Sequence, residues 1–327
     1  MDRIRVAVIA SADSSFVQAD RRILADRFRV RYVPWRGKRS IPNLVWSVLR
    51  SDIAFSWFAL DHAYGACRVA RVAGRKSVVV VGGVDAAKRE DLGYGVHLDP
   101  KMGPRSRYAL AHTDRVLVVD DSLREEIHRN TGIDRPEIVT VPLGFDTDRF
   151  RPDGASRTNV LSVGIVDDVN LRRKGLETFV RAARHAPDLP FVLVGARAND
   201  ATSRLRAEAP SNVRILGRLR DQDLLEEFRR ARVYVQVSEY EGLPTALGEA
   251  MACGCVPVGT RVAGIPNLIG DAGGYVAGGD PAGTAQAIKE AYSRGNGEAA
   301  RRRIEDRFPL ERRRRALVEI VEGLARR

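Results

Sequence analysis

The sequence predicts an α/β protein with two parallel-sheet domains. Short, β-branched apolar runs alternate with longer amphipathic segments along almost all of its 327 residues, which is the pattern of strand–helix–strand units. The alternation stops at a segment rich in Pro, Gly and Asp at 142–154 and starts again at Asn159. Such a segment is typical of a domain boundary. We therefore expect two sheets, each with its own core.

Each predicted element follows from its apolar period. Strands are predicted at 5–10, 28–34, 52–58, 77–81, 115–119 and 137–141, and then at 159–163, 191–194, 212–216, 233–237, 255–258 and 274–276. Helices are predicted at 16–27, 41–49, 62–72, 105–111 and 122–130, and then at 176–185, 201–209, 221–230, 245–253, 281–292, 298–308 and 311–325. The longest loop, 82–103, contains five glycines. Long loops in compact domains are usually functional.

Composition narrows the class of protein. The hydrophobic content of 44% is that of a globular chain, and three cysteines at 67, 253 and 255 form no disulfide framework. A cytoplasmic, reducing location is therefore expected. The net charge of +12 indicates an acidic partner, which leaves nucleic acid, anionic lipid and phosphate-bearing substrates open.

The most informative stretch is 238–260. A strand ends at 237, a glycine-containing loop follows, and Pro244 is expected at the first position of a helix that Gly254 ends. The free N–H groups at a helix N-terminus favour an anion. Glu241 and Glu249 lie on either side of this start. Two acids around a phosphate site suit a nucleotide-sugar, which has a central diphosphate and hydroxyls at both ends.

The same stretch resembles a known family. Glu241 and Glu249 match the E-x7-E signature of retaining GT-B glycosyltransferases, in particular glycosyltransferase family four. Further blocks at 114–119, 142–152, 163–164 with 173–176, 214–219 and 260–266 are similar to that family in the same order. The resemblance implies a GT-B fold, with two Rossmann-like domains facing a cleft. It also implies an acceptor-side domain at 1–152, a nucleotide-sugar domain at 153–309, and a last helix, 310–327, that packs back on the first domain.

The resemblance also implies roles for individual residues. Glu241 would stabilise positive charge on the donor sugar, and Lys174 with Arg173 would stabilise the leaving diphosphate. Glu249 would accept the ribose hydroxyls. The remaining donor-binding residues would be Gly164, Gly242, Leu243, Thr245, Gly217, Arg218 and Leu219. No metal and no cofactor is required in this scheme, and the pair Asp167–Asp168 is interpreted as helix caps.

Two positions depart from the family pattern. Ile165 stands where the family usually has an arginine, and we expect Arg172 or Arg173 to replace that charge. After the strand at 77–81, the family often has a histidine that contacts the donor sugar, whereas this chain reads Gly82-Gly83-Val84-Asp85. We therefore assign Gly83 and Asp85 to the acceptor side, where glycine permits a close backbone approach.

The function predicted from the sequence is retaining transfer of a sugar from a nucleotide-diphosphate donor to a glycan, lipid-linked or small-molecule hydroxyl. One alternative is a GT-B nucleotide-sugar epimerase. Another is a non-enzymatic basic protein that binds membrane or nucleic acid, although no aromatic-interleaved basic motif of RNA modules is present. The basic run 35–39 before the apolar helix 41–49 indicates either peripheral contact with the inner membrane face or ordinary packing.

Overall fold

The computed structural model describes residues 3–295 and 297–326. The chain divides into two compact units, one formed by Met1–Gly144 with Glu311–Arg327 and the other by Phe145–Leu310. Each unit contains one parallel six-stranded sheet. The α/β class with two parallel sheets, predicted from the alternation of elements, is confirmed.

The sheet of unit 1 has apolar strands at its centre and a more exposed strand, Arg29–Pro34, at one edge. Its strands are β1 (Arg5–Ala10), β2 (Arg29–Pro34), β3 (Ile53–Trp57), β4 (Lys76–Val81), β5 (Arg115–Val118) and β6 (Ile138–Thr140). They lie in the order β2-β1-β3-β4-β5-β6. Central strands β1, β3 and β4 are almost fully buried, as expected for parallel strands between helices.

The helices of unit 1 connect these strands. They are α1 (Ser15–Arg27), α2 (Ile41–Leu49), α3 (Asp61–Val72), α4 (Met102–His112) and α5 (Asp121–Thr131). The glycine-rich segment predicted as a long loop contains two 3₁₀ turns, Glu90–Leu92 and Val96–Leu98, before α4 begins. The backbone is left-handed at Phe58, directly after β3, which is uncommon for a bulky residue.

A buried ion pair attaches the last helix to unit 1. Arg313 donates from Nε and Nη2 to the two carboxylate oxygens of Asp20, at 2.6 and 2.7 Å. The indole Nε1 of Trp57 donates to the same carboxylate, and Arg313 Nη1 donates to the carbonyls of Val141 and Pro142. Every oxygen of this buried carboxylate therefore has a donor, as a buried charge requires.

The sheet of unit 2 repeats the architecture. Its strands are β7 (Asn159–Val163), β8 (Phe191–Ala196), β9 (Val213–Gly217), β10 (Ala231–Gln236), β11 (Val256–Gly259) and β12 (Gly274–Tyr275). They lie in the order β12-β11-β10-β7-β8-β9. Parallel strands have their carboxyl ends at one edge, so the loops after β7, β9 and β10 share that edge.

The helices of unit 2 cover its sheet, and the last helix of the chain returns to unit 1. That last helix is α14 (Leu310–Ala325), which belongs to unit 1 from Glu311 onward. The helices of unit 2 are α6 (Asp168–Arg173), α7 (Leu176–Ala182), α8 (Asp200–Glu208), α9 (Asp221–Arg230), α10 (Thr245–Ala252), α11 (Ile265–Ile269), α12 (Pro281–Ser293) and α13 (Glu298–Arg307). Two of them, α6 and α11, were not predicted as helices. Both are too short for an apolar period to be visible in the sequence.

The segment after Gly144 is part of unit 2. A Cβ on Gly248 of α10 would lie only 2.0 Å from the ring of Phe145, so that ring packs directly on the helix backbone. Arg301 donates to the carbonyls of Thr147 and Phe150. These contacts place the boundary between Gly144 and Phe145. It lies inside the Pro-, Gly- and Asp-rich segment 142–154 and before the division at 152 that the family resemblance implies.

Candidate active site

The candidate site lies at the carboxyl edge of the unit 2 sheet, where α10 follows β10. Pro244 occupies the N-cap rather than the first helical position, and Thr245 begins the helix. Gly254 has the left-handed φ of +81° expected after a helix end. The start of α10 is fixed by the loop after β11, because Gly264 donates its N–H to the carbonyl of Gly242 at 2.9 Å.

Glu241 is buried beside two cations. Lys174 Nζ donates to Glu241 Oε1 at 2.9 Å, and Arg173 Nη1 lies 3.8 Å from Oε2. Burial raises the pKa of this carboxyl, but the charges of Lys174 and Arg173 outweigh that effect and hold the pKa below its usual range. Glu241 is therefore ionised at neutral pH, as a group that stabilises positive charge must be.

A chain of buried polar side chains leads from the sheet to Glu241. Tyr234 donates to Gln236 Oε1 at 3.2 Å, and Gln236 Nε2 donates to Ser238 Oγ at 2.7 Å and to Glu241 Oε1 at 3.2 Å. Ser238 also donates to Glu241 Oε1, at 3.1 Å. We call these four residues the β10 polar chain. Because its members are packed and hydrogen-bonded, they fix the orientation of the carboxylate.

Sequence reasoning missed this role of Gln236 and Ser238. The signal was present, because 231–238 is an apolar strand interrupted by polar residues at alternate positions, which share one face of a strand. Buried polar residues require partners. A polar residue at every second position of a buried strand that ends at a candidate site therefore indicates support for that site.

Arg173 is held more rigidly than the sequence suggested. It ends α6, for which Asp167 is the N-cap, with its carboxylate accepting the N–H of Asn170. The Arg173 guanidinium donates to Asn170 Oδ1 and to the carbonyl of Tyr240, and the Arg173 carbonyl accepts the N–H of Glu239 at 2.8 Å. Of the pair interpreted as helix caps, Asp167 is confirmed as a cap, whereas Asp168 is the first residue of α6.

Glycines allow the strand ends to approach one another at the site. A Cβ on Gly164 would lie 3.0 Å from Lys174 Cδ, so the lysine stem lies directly against this glycine. Gly175 has a φ of +64° and its Cβ would lie 2.1 Å from the carbonyl oxygen of Val237. Only glycine fits both the conformation and the space. The turn between α6 and α7 is thereby fixed against the end of β10.

Glu249 differs from Glu241. It is half-buried, and burial raises the pKa of its carboxyl to about 8, with the charge of Arg149 opposing this and that of Asp221 adding to it. Within residues 3–295 and 297–326 its carboxyl takes part in no hydrogen bond or ion pair. A carboxyl whose ionised form lacks donors in the protein is suited to accept them from a ligand.

The other residues assigned to donor binding are spread along this edge. Leu243 is buried and Thr245 is half-buried at the start of α10, while Gly217 and Arg218 are exposed and Leu219 half-buried after β9. Since β9 lies three strands from β10, the carboxyl ends of these two strands are about 14 Å apart at the usual strand spacing. Gly164 lies after β7, between the ends of β10 and β9, so the assigned residues extend along this length of the edge.

In unit 1, Asp85 is fully buried in the turn after β4. Its Oδ1 accepts the N–H groups of Gly82 and Gly83, and its Oδ2 accepts the N–H of Ala59 at 2.8 Å. Burial raises the pKa of this carboxyl to about 6 despite these donors. Asp85 therefore organises the loops after β3 and β4. Gly83 has a φ of +135°, which excludes most other residues.

In the part of the chain that the structure describes, no group of three or more His, Cys, Asp or Glu side chains is arranged to hold a metal ion. No described helix combines the length and apolar character needed to cross a membrane.

Family models match both units. The model described as "Glycosyltransferase Family 4" matches residues 2–149, and the model described as "Glycosyl transferases group 1" matches residues 157–294. The chain belongs to glycosyltransferase family 4. The resemblance based on Glu241 and Glu249 is thus confirmed, and it extends to the first 150 residues, where few motifs are visible.

Curated relatives of this glycosyltransferase have diverse names. It is 23% identical over 295 residues to a phosphatidylinositol N-acetylglucosaminyltransferase subunit of Arabidopsis thaliana, a match that covers 83% of this chain and 64% of the relative. It is 30% identical over 209 residues to the alpha-maltose-1-phosphate synthase of Mycolicibacterium smegmatis, covering 56% and 52%. The matched part thus spans between half and two thirds of these relatives.

Solved structures show the same fold at low identity. A glycosyltransferase from Rickettsia africae superposes with a TM-score of 0.78 at 14% identity, covering 99% of each chain. Anabaena Alr3699/HepE in complex with UDP and glucose superposes with a TM-score of 0.80 at 14% identity, covering 98% of this chain and 99% of that one. The GT-B fold expected from the sequence is confirmed.

Proposed function

We propose that this family 4 glycosyltransferase transfers a sugar from a nucleotide-diphosphate donor to an acceptor hydroxyl, with retention of the anomeric configuration. The observation that carries the proposal is the partly buried contact of Lys174 with Glu241, just before α10. It brings together a cation at the end of α6, an ionised carboxylate in the loop before α10 and the N-terminus of α10. The carboxylate is complementary to the positive charge that develops on the sugar, and the cation and the helix N-terminus are complementary to the negative diphosphate.

In the proposed mechanism, Lys174 and the N-terminus of α10 bind the diphosphate. An ammonium group has three donors, of which one is used on Glu241, so two remain for phosphate oxygens. Negative charge grows on the leaving oxygen as the glycosyl bond lengthens, and these donors stabilise it. Arg173 contributes charge from a fixed position beside Tyr240.

Glu241 stabilises the positive charge that develops on the sugar. The bond between the anomeric carbon and the phosphate oxygen breaks, and a bond from the acceptor oxygen to the same carbon forms on the same face. The acceptor proton passes to the departing phosphate oxygen, so the scheme requires no enzymatic base, metal or cofactor. Glu249 accepts the ribose hydroxyls, and Gly217, Arg218 and Leu219 contact the base.

We place the acceptor at the carboxyl edge of the unit 1 sheet, beside Gly83, with Asp85 in a positioning role beneath it. An acceptor glycan or lipid-linked acceptor is the proposed partner. The named relatives include an O-antigen chain mannosyltransferase of Escherichia coli and the phosphatidylinositol N-acetylglucosaminyltransferase of Arabidopsis thaliana, which supports this class. We further propose a cytoplasmic location at the inner membrane face.

A panel of UDP-, GDP- and ADP-sugars tests the proposal. We expect hydrolysis of one donor class without acceptor, unchanged by a chelator, and loss of that activity in Glu241→Gln. The matched control is Glu239→Gln, which changes an acid of the same loop whose carboxylate pairs with Arg172. A product that remains attached to the nucleotide with one inverted hydroxyl would indicate an epimerase instead. No binding and no turnover of any donor would refute the proposal.

A further inference from the structure

Helix α2 of unit 1 exposes an apolar face. Its sequence, IPNLVWSVL, contains no charged residue. Leu44 and Val48 are buried against the sheet, while Ile41, Trp46 and Leu49 are 46%, 43% and 47% exposed. At 100° per residue the exposed positions form one continuous side of the helix. We call Ile41, Trp46 and Leu49 the α2 surface.

This exposure is concentrated rather than scattered. Six large apolar side chains are exposed among the described residues, and half of them belong to this nine-residue helix. Single exposed apolar residues are normal, but a contiguous group indicates an interaction site. The buried side of α2 already packs against the sheet of unit 1, through Leu44 and Val48. The α2 surface therefore has no role in the core of this unit.

The charges around α2 are all of one sign. Between residues 27 and 51 the sequence has seven Lys and Arg residues and no Asp or Glu. The guanidinium groups of Arg31 and Arg50 lie over the Trp46 ring, with centroid distances of 4.2 and 4.8 Å. Lys38 and Arg39, just before the helix, are exposed. An aromatic ring between cations beside an apolar face is complementary to the interface of an anionic bilayer.

We propose that the α2 surface docks on an anionic lipid bilayer, with Ile41, Trp46 and Leu49 inserted between headgroups and the surrounding arginine and lysine side chains on lipid phosphates. The helix is too short to cross a bilayer and lies in its plane. This inference does not depend on the donor site of unit 2. It goes beyond the proposed function by naming the surface and the chemistry of its partner.

Vesicle sedimentation with the full chain tests the proposal. We expect partitioning onto vesicles of phosphatidylcholine with phosphatidylglycerol, weaker partitioning at high salt, and little onto phosphatidylcholine alone. Leu49→Glu is expected to reduce partitioning at least about tenfold, because it replaces inserted apolar area with a charge. Thermal unfolding checks that this exposed substitution leaves the fold intact.

Val72→Glu is the matched control. Val72 is 92% exposed on α3 and is outside the α2 surface, so this variant has the same change of charge and is expected to partition like the unmodified protein. Trp46 gives a second readout, since its fluorescence should shift to the blue on anionic vesicles, and Trp46→Phe should lose most of the shift. Equal partitioning of Leu49→Glu and Val72→Glu would overturn the proposal. The proposal would also be overturned if Leu49→Glu still bound vesicles but no longer bound an oligonucleotide or a protein partner.

Discussion

The two units bury charged groups in different ways. In unit 1, the Asp20 carboxylate is paired with Arg313 and bonded to Trp57, and the Asp85 carboxylate accepts three backbone N–H groups. In unit 2, Lys174 uses one of its donors on Glu241, and the Glu249 carboxyl has no hydrogen bond or ion pair among the described residues.

This difference distinguishes ionisable groups whose hydrogen bonds are all made within the protein from groups that can still bind a ligand. A buried charge whose hydrogen bonds are all made within the protein contributes to the fold, and its loss leaves the partner unpaired. A buried charge with unused bonding capacity is kept at a cost in stability, which is common at functional sites. Substitutions in unit 1 should therefore affect stability first, and those in unit 2 should affect activity first.

The largest expected effect is on stability, in unit 1. Arg313→Met leaves the Asp20 carboxylate buried without its cation, so the free energy of unfolding should fall by about 3–5 kcal/mol. Chemical denaturation measures this, and activity of the folded fraction should change little. Adding Asp20→Asn should recover part of the loss. An Arg313→Met variant as stable as the unmodified protein would show that the pair is not structural.

For Lys174, the cation of the unit 2 site, we expect a large loss of activity and a smaller loss of stability. Lys174→Met removes a donor for the leaving diphosphate, which should lower kcat by about 10²–10³-fold, or about 3–4 kcal/mol. Its stability should change less than that of Arg313→Met. Arg204→Met, which alters an exposed cation of α8, is the control. If Lys174→Met lost stability but kept its rate, the distinction between the two units would fail.

The raised pKa of Asp85 predicts that the stability of the protein depends on pH. Its pKa is raised in the folded protein to about 6 from the ordinary 3.8, so its contribution is fully present below that ordinary value and is lost as the pH rises through 6. Relative to Asp85→Asn, the unmodified protein should lose up to about 3 kcal/mol of stability between these limits. Urea denaturation across that range measures the difference. A constant difference would mean that Asp85 does not titrate there.

The smallest effect concerns the β10 polar chain. Gln236→Leu keeps the volume of the side chain but removes its hydrogen bond to Glu241, so the carboxylate should be less well oriented. We expect kcat to fall about tenfold with an unchanged KM for the donor, since Gln236 does not contact the ligand in the proposed mechanism. Steady-state kinetics distinguish this from a binding defect. Gln222→Leu, in an exposed part of α9, should have no effect.

The sequence predicted the fold class because parallel strands bury near-continuous apolar runs, which are easy to recognise. It did not predict α6, because a six-residue helix is defined by a cap and by tertiary contacts, such as those of Asp167 and Arg173, rather than by a period. The boundary between Gly144 and Phe145 lies within the segment 142–154 that composition indicated, but its exact position has a similar basis. It depends on where the Phe145 ring packs, and no local pattern shows that.

The candidate site was predicted in part. Glu241, Lys174 and Glu249 stood out by motif and spacing, but the β10 polar chain required a structure, because its members are bonded through space and not through sequence signatures. The assignments of Gly83 and Asp85 to the acceptor side remain predictions. What the structure adds is that the Asp85 carboxylate is fully engaged by backbone donors, which is why we propose a positioning role.

The most direct test of the nucleotide-sugar site is a calorimetric titration of UDP, GDP and ADP into the protein and into Glu249→Gln, between about pH 6 and 9. The pKa of Glu249 is about 8 in the unliganded protein, and ribose hydroxyls favour the ionised carboxylate. Binding below that pH should therefore release a proton, and affinity should rise by up to about tenfold per pH unit and then level off. We predict that one of the three nucleotides shows this behaviour and that Glu249→Gln binds it at least about tenfold more weakly without the pH dependence. Binding of none of the three, or equal binding by Glu249→Gln, would contradict the account.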